Sequence, residues 1–162
     1  GPRSGGRNLD SDATVVPDQF VADTSSSSNL RLLYLGAMGR SYDLETLVEA
    51  CGRLLEEGVP LELHFAGEGE KLERLRCLTE NWSAGRVHFH GFLQAPALKE
   101  LLRESDVGVV PMFPESGVSV PYKVGDYLSA GLPVINSLPG ELSQLLETNR
   151  CGVFYEAGSA VS

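Results

Sequence analysis

Residues 30–69 read LRLLYLGAMGRSYDLETLVEACGRLLEEGVPLELHFAGEG, and their spacing decides the fold. Leu32-Leu33-Tyr34-Leu35 is an unbroken apolar run ended by Gly36, the pattern of a strand buried on both faces. Leu44, Leu47, Val48, Cys51, Leu54 and Leu55 then recur at three- and four-residue spacing, one face of a helix that begins near Asp43 and is closed by Gly58. A second strand follows from Leu61 to Ala66, and Gly67-Glu68-Gly69 turns the chain into another helix. This strand–helix–strand order predicts a parallel sheet with crossover helices.

The same unit repeats to the end of the chain. Leu72, Leu75 and Leu78 mark the second helix, Val87 to His90 a third strand ending at Gly91, and Leu98, Leu101 and Leu102 a third helix. Val107 to Val110 is the fourth strand, Tyr122 to Ala130 a helix, Val134-Ile135 a short fifth strand, Leu142, Leu145 and Leu146 a helix stripe, and Gly152-Val153-Phe154 a sixth strand. The expected fold is therefore α/β, a three-layer Rossmann-like domain on a parallel sheet of about six strands. Right-handed crossovers put every strand's C-terminal end on one rim, where open α/β sheets bind ligands. Gly36, Gly67, Gly69, Gly91 and Gly117 all fall at or beyond strand ends on that rim.

The domain occupies residues 30–162. Residues 1–29 read as an expression scar at Gly1-Pro2, a flexible leader and a linker, because the tract Thr24 to Asn29 has too little apolar content to pack. Val15-Val16-Pro17 and Phe20-Val21 remain available as an extended strap, and the sixth strand suggests a domain cut short at its C-terminus. A chain of 162 residues with 42% hydrophobic content supports one core. Its net charge of −9 disfavours nucleic acid and anionic lipid as partners. No apolar run is long enough to span a bilayer. Cys51, Cys77 and Cys151 are an odd, dispersed set, read as reduced and mostly buried thiols rather than a disulfide framework or a zinc site.

Several segments offer chemistry. Gly36-Ala37-Met38-Gly39 presents amides either to a phosphate or only to a tight turn, and Arg40 is either a cation for that loop or a solvated charge. Gly67-Glu68-Gly69 is either a second ligand turn or a packing turn. His88 and His90 share a strand face, but without a third ligand in sight they read as packed histidines and no metal site is assigned. The most informative stretch runs from Val109 to Ile135. Pro121 opens a helix where a missing amide hydrogen costs least. Its free amides, the hydroxyls of Ser116 and Ser119, and the Lys123 ammonium are suited to a diphosphate. Asp126, three residues on, is placed on the same helical face to accept hydrogen bonds from ribose hydroxyls, unless it simply pairs with Lys123.

Pro121-Tyr122-Lys123-Val124-Gly125-Asp126-Tyr127-Leu128-Ser129-Ala130-Gly131-Leu132-Pro133-Val134-Ile135 resembles the P-x-K-x-x-[ED]-Y-x-A-x-G-x-P-V-I signature of retaining GT-B glycosyltransferases of family four. Tyr34-Leu35-Gly36, Phe65-Ala66-Gly67-Glu68-Gly69, Val87-His88-Phe89-His90-Gly91-Phe92 and Ser105-Asp106-Val107 follow in the family's order. The resemblance implies one half of a GT-B fold that binds a UDP- or GDP-sugar, a substrate rather than a cofactor, with the base near Gly91 and Phe92 and the ribose at Asp126. Lys123, and Glu115 as the nearby carboxylate in the loop, are the catalytic candidates. Gly36, Gly39, Arg40, Gly67, Gly91, Phe92, Gly117, Val118, Ser119, Lys123 and Asp126 become the donor-contacting set. Two departures stand out. The first glutamate of the family's E-x7-E pair is Val118 here, and the usual Arg and Lys after the first strand are Ala37 and Tyr42. Glu115, Arg40 and Lys123 are the available replacements.

The implied partner is an N-terminal Rossmann-like domain carrying the acceptor, a glycan or lipid-linked glycan. The fragment is thus expected to bind donor weakly and to transfer nothing, in a cytoplasmic setting with membrane association only through the other domain. No paired D-x-D outside the leader demands a metal; Asp10-Ser11-Asp12 has that spelling but lies in the leader. The alternatives are a non-catalytic GT-B-like module for assembly or regulation, and a sugar-nucleotide epimerase of the same build.

Overall fold

A computed structural model describes residues 28–159. Six strands alternate with five α-helices: β1 (Leu30–Leu35), α1 (Leu44–Glu56), β2 (Leu61–Ala66), α2 (Leu72–Leu78), β3 (Val87–Gly91), α3 (Ala95–Glu104), β4 (Val107–Val110), α4 (Tyr122–Ser129), β5 (Val134–Asn136), α5 (Glu141–Thr148) and β6 (Gly152–Phe154). A 3-10 turn at Pro114–Ser116, not anticipated from the sequence, interrupts the loop after β4. The leader segments and Asp10-Ser11-Asp12 lie outside the described residues.

All strand pairings are parallel, in the order β3-β2-β1-β4-β5-β6. The chain first builds outward from β1 to the β3 edge, then returns and builds the other way from β4. The direction of winding therefore reverses between β1 and β4, and the two faces receive different helices. On one face Leu32, Tyr34, Leu61, Leu63 and Phe65 pack with Leu44, Leu47, Val48 and Cys51 of α1 and Leu75 of α2. On the other, Leu33, Ala66, Val110 and Val134 pack with Leu101 and Leu102 of α3, Val124 and Tyr127 of α4, and Leu142 and Leu146 of α5. These are the three layers that the alternating pattern predicts.

Tyr127 fastens the seam where the winding reverses. Its hydroxyl accepts from the Leu35 amide at 2.9 Å and lies 3.1 and 3.0 Å from the Leu33 and Val109 carbonyls, touching both central strands. Its ring occupies the space a side chain at position 108 would need, since a Cβ built on Gly108 falls 2.3 Å from the ring. The glycine in β4 is thus dictated by packing.

The structure corrects some stripe assignments. Leu54, Leu78 and Leu145, placed on buried stripes, are exposed, whereas their stripe-mates Leu47, Leu75 and Leu142 are buried. The helices are only half-wrapped, so residues at the margins of an apolar stripe reach solvent. Burial of strands on both faces holds at the centre of the sheet but fails at the β3 edge, where β3 has no fully buried residue. Among the thiols only Cys51 is buried, which pushes it up to about 12; Cys77 is exposed and Cys151 intermediate.

Candidate functional site

The turns after β1, β2 and β3 are laced together along the C-terminal rim. Gly36 donates to the Ala66 carbonyl, Met38 to that of Glu68, and Gly67 to that of Gly91, each at 2.9 Å. Gly67 adopts a φ of 146°, and a Cβ there would lie 1.9 Å from the Gly36 carbonyl oxygen, so two backbones touch where no other residue fits. Packing thus requires the glycine at position 67, and the amides of Gly36 and Met38 are spent on the neighbouring turn. Met38 is buried, and Arg40 is a solvated charge, its side chain 91% exposed and paired with Glu70 at 3.4 Å.

Lys123 enters this rim from the start of α4. Pro121 supplies the extended N-cap, and the first turn then carries Lys123 and Val124 inward and Tyr122 outward. The ammonium sits 4.6 Å from the centre of the Tyr34 ring and 4.2 Å from that of Tyr42, and donates to the Tyr34 hydroxyl at 3.5 Å. A Cβ at Gly36 would lie 3.0 Å from both Cε and Nζ of Lys123. The glycine turn and the α4 start therefore meet at the winding reversal between β1 and β4. Aromatic faces attract a cation but neutralise none of its charge. Among the described residues no carboxylate forms an ion pair with Lys123, and burial pulls it down to about 8. The hydroxyl of Tyr34 donates to the Ala37 carbonyl, with burial raising its own ionisation far above the ordinary value.

Asp126 does not share this position. A separation of three residues predicts one face with Lys123, yet Lys123 is buried whereas Asp126 is exposed and lines a groove of about 610 Å³ between α3 and α4 with Pro96 and Lys99. Residues three apart are rotated by roughly 60° on a helix. Here the boundary between core and solvent passes between them. Glu115 is exposed on the 3-10 turn, and Gly117 closes that turn at a φ of 77°. Ser116 spends its hydroxyl on the Val118 amide at 3.3 Å. Val118, Ser119, Val120, Tyr122 and Phe92 are all exposed; Tyr122 and Phe92 reach 99% and 76%. Gly91 ends β3, and Gly39 lies in the β1 turn beside Met38.

Three contributors escaped the reading of the sequence. Tyr34 and Tyr42 form the aromatic cage, and Lys71 donates to the Tyr42 carbonyl at 2.6 Å and to Glu45 at 2.9 Å. The usable signal was Tyr42 itself, an aromatic where the resembled family carries a cation. The loops are further joined by the Tyr42–Met112 bridge, and by Asp43 and Phe113 amides donating to the Pro111 and Ser41 carbonyls at 2.5 and 2.9 Å. Away from the rim, His88 and His90 acquire the neighbours they lacked in the sequence: Glu62 and His64 of β2 gather on the same sheet face.

A parallel six-stranded α/β sheet with a glycine-lined rim and a caged lysine at the winding reversal is a Rossmann-like domain, and its match to solved glycosyltransferases gives it the fold of a GT-B half. Comparison with known proteins then fixes the family. The profile described as Glycosyl transferases group 1 matches residues 29–162, and the chain belongs to that family. It is 25% identical over 127 residues, 76% of its length, to the putative colanic acid biosynthesis glycosyltransferase WcaL of Escherichia coli K12, of which it spans 31%. Its fold matches the C-terminal domain of the group 1 family protein LpcC from Francisella tularensis, with a TM-score of 0.65 at 14% identity, covering 85% of this chain and 73% of that one. It also matches the pneumococcal O-GlcNAc transferase GtfA, solved with UDP and GlcNAc, with a TM-score of 0.65 at 17% identity, covering 83% of this chain and 26% of that one. Among the described residues no helix is long and apolar enough to cross a membrane.

Proposed function

We propose that this chain is the nucleotide-sugar-binding half of a retaining glycosyltransferase, working with an N-terminal Rossmann-like domain that carries a glycan or lipid-linked acceptor. The observation that carries the reading is the Lys123 ammonium. It is buried, unpaired with any described carboxylate and stationed beside the Gly36 turn at the winding reversal, where ligands of open α/β sheets bind. As the glycosyl–phosphate bond breaks, charge accumulates on the departing diphosphate, and a cation preorganised in a low-dielectric site lowers that barrier. Lys123 takes this role, with Gly117 and Ser119 offering amides, Glu115 a carboxylate on the sugar side, and Asp126 the ribose contact. Tyr42 replaces the usual cation after β1 by an aromatic face, and the charge is supplied from α4 instead. The relative GtfA, solved with UDP and GlcNAc on a similar fold, supports a uridine nucleotide as the first ligand to try.

Calorimetric titration with UDP, GDP and their sugars tests the proposal. Lys123→Met keeps the apolar stem and removes the charge; losing a hydrogen bond from a charged group should cost about 1.5–3 kcal/mol of nucleotide affinity. Asp126→Ala should weaken binding by about 1–3 kcal/mol with the fold intact, and an unchanged affinity would remove Asp126 from the site. A second reading, a non-catalytic GT-B-like module, is favoured by the apolar, exposed Val118 in place of a glutamate. Failure of every nucleotide to bind at millimolar concentration would decide for it. Free epimerised sugar nucleotide, formed by the two-domain protein without acceptor, would decide for an epimerase.

A further inference from the structure

The chain has three histidines, and parallel pairing brings all of them to one place. His64 of β2 is the register partner of His88 on β3, and His90 lies two residues further on. Alternation along the strands turns these rings, with Glu62, toward the α3 side of the sheet, at its outer edge. The rings of His64 and His88 stack at 4.3 Å, and those of His64 and His90 at 5.1 Å. Glu62 Oε1 stands 3.1 Å from His64 Nε2 and 3.4 Å from His88 Nε2.

We propose that Glu62, His64 and His88 form a binding site for a zinc-class divalent ion, with His90 holding the ring of His64 behind it. One ligand atom from each of the three lies within 4.8 Å of the others. Metal–ligand bonds of roughly 2.0–2.1 Å imply ligand atoms about 3.3 Å apart in a tetrahedral site. The two carboxylate–imidazole separations of 3.1 and 3.4 Å already match that edge. Closing the third edge requires the parallel rings to converge, and His88 is free to swing, being partly exposed on the edge strand.

The surroundings prepare each ligand. Asn29 donates to Glu62 Oε2 at 2.9 Å, while Oε1 faces the imidazoles with the Arg31 guanidinium 3.7 Å away, a longer contact that an ion on Oε1 would displace. When His64 Nε2 ligates, its Nδ1 proton points at His90 Nε2, 2.9 Å away, the outer hydrogen bond that fixes a ligating tautomer. His88 Nε2 contacts the Gly85 carbonyl at 3.1 Å, so ligation transfers its ring proton to Nδ1 and breaks that contact. Nitrogen and carboxylate donors of this kind suit zinc and its neighbours better than magnesium or calcium. A bound ion would tie the edge strand β3 to β2.

Titration of the chain with Zn2+, and with Co2+ as a spectroscopic substitute, tests the site. The expected result is one ion per chain, a Co2+ visible spectrum of nitrogen and oxygen ligation, and a rise in melting temperature that a chelator reverses. His88→Ala and Glu62→Gln should each weaken binding by more than about tenfold, with folding confirmed by circular dichroism; if Glu62→Gln fails to fold, His88→Ala decides. Cys77→Ser should leave binding unchanged. The assignment is overturned if the folded chain takes up no Zn2+ at millimolar concentration, if binding follows Cys77, or if it survives in the folded His88→Ala variant.

Discussion

A lysine surrounded by tyrosine rings and lacking, among the described residues, an ion-paired carboxylate is an unfinished electrostatic arrangement, and its titration exposes it. Burial holds Lys123 down at about 8 in the fold against an ordinary 10.5. Between those values the unfolded chain binds more protons, so this group makes the fold gain stability as the pH rises through that window. A diphosphate has the opposite preference, because it needs the ammonium. Nucleotide affinity is therefore expected to fall as the pH climbs through about 8, and titrations near pH 7 and near pH 9, about one pH unit on either side, should show a decline that Lys123→Met lacks. Equal slopes in both proteins would take Lys123 out of the contact. The lysine was legible in the sequence from its place after Pro121; its cage was not. Tyr34 lies on β1 and Tyr42 in the following loop, and only the sheet register and the α4 approach bring them to position 123. For the same reason Asp126 was put on a shared face that the fold divides between core and solvent.

The turns that end the strands are legible as glycines, but their purpose changes once they are seen together. Read singly, the turns after β1 and β2 were open between amides offered to a ligand and turns made for packing. In the fold, the β1 and β2 turns use amides on one another, and Gly67 presses its backbone on the Gly36 carbonyl. Gly67→Ala must either shift the β1 turn or fail, and overpacking with an unfavourable φ should cost about 2–4 kcal/mol or more. A thermal melt is the check, and a melting temperature unchanged from the parent would show that the turn yields freely. Every strand and helix was legible, the helices chiefly as stripes without their ends, because apolar runs and stripes report burial directly. What the pattern conceals is the edge. In a parallel sheet, register is set by packing and not by any local signal, so nothing in the sequence pairs His64 with His88.

At the scale of the whole molecule, the C-terminal rim carries exposed apolar side chains among the described residues. Phe92, Val118, Val120 and Tyr122 expose apolar surface around the loops where α3 and α4 begin, a surface that an opposing domain would shield in the proposed enzyme. The chain spans 31% of the length of the E. coli relative. Under the proposed function it should bind nucleotide yet release no product when given donor and acceptor, while the two-domain protein turns over; turnover by the chain alone would show that the transfer chemistry is complete within it. The seam between β1 and β4 carries a further consequence. Because the Tyr127 ring fills the room that a Cβ at position 108 would require, the two sites behave as one volume shared between neighbours. Gly108→Ala alone should be severely disruptive, whereas pairing it with Tyr127→Leu should recover part of the loss, a non-additivity that a double-mutant cycle reads directly. Any homologue with a bulkier residue at 108 would be obliged to carry a smaller one at 127, so the lock between the two halves of the sheet can change only by paired exchange.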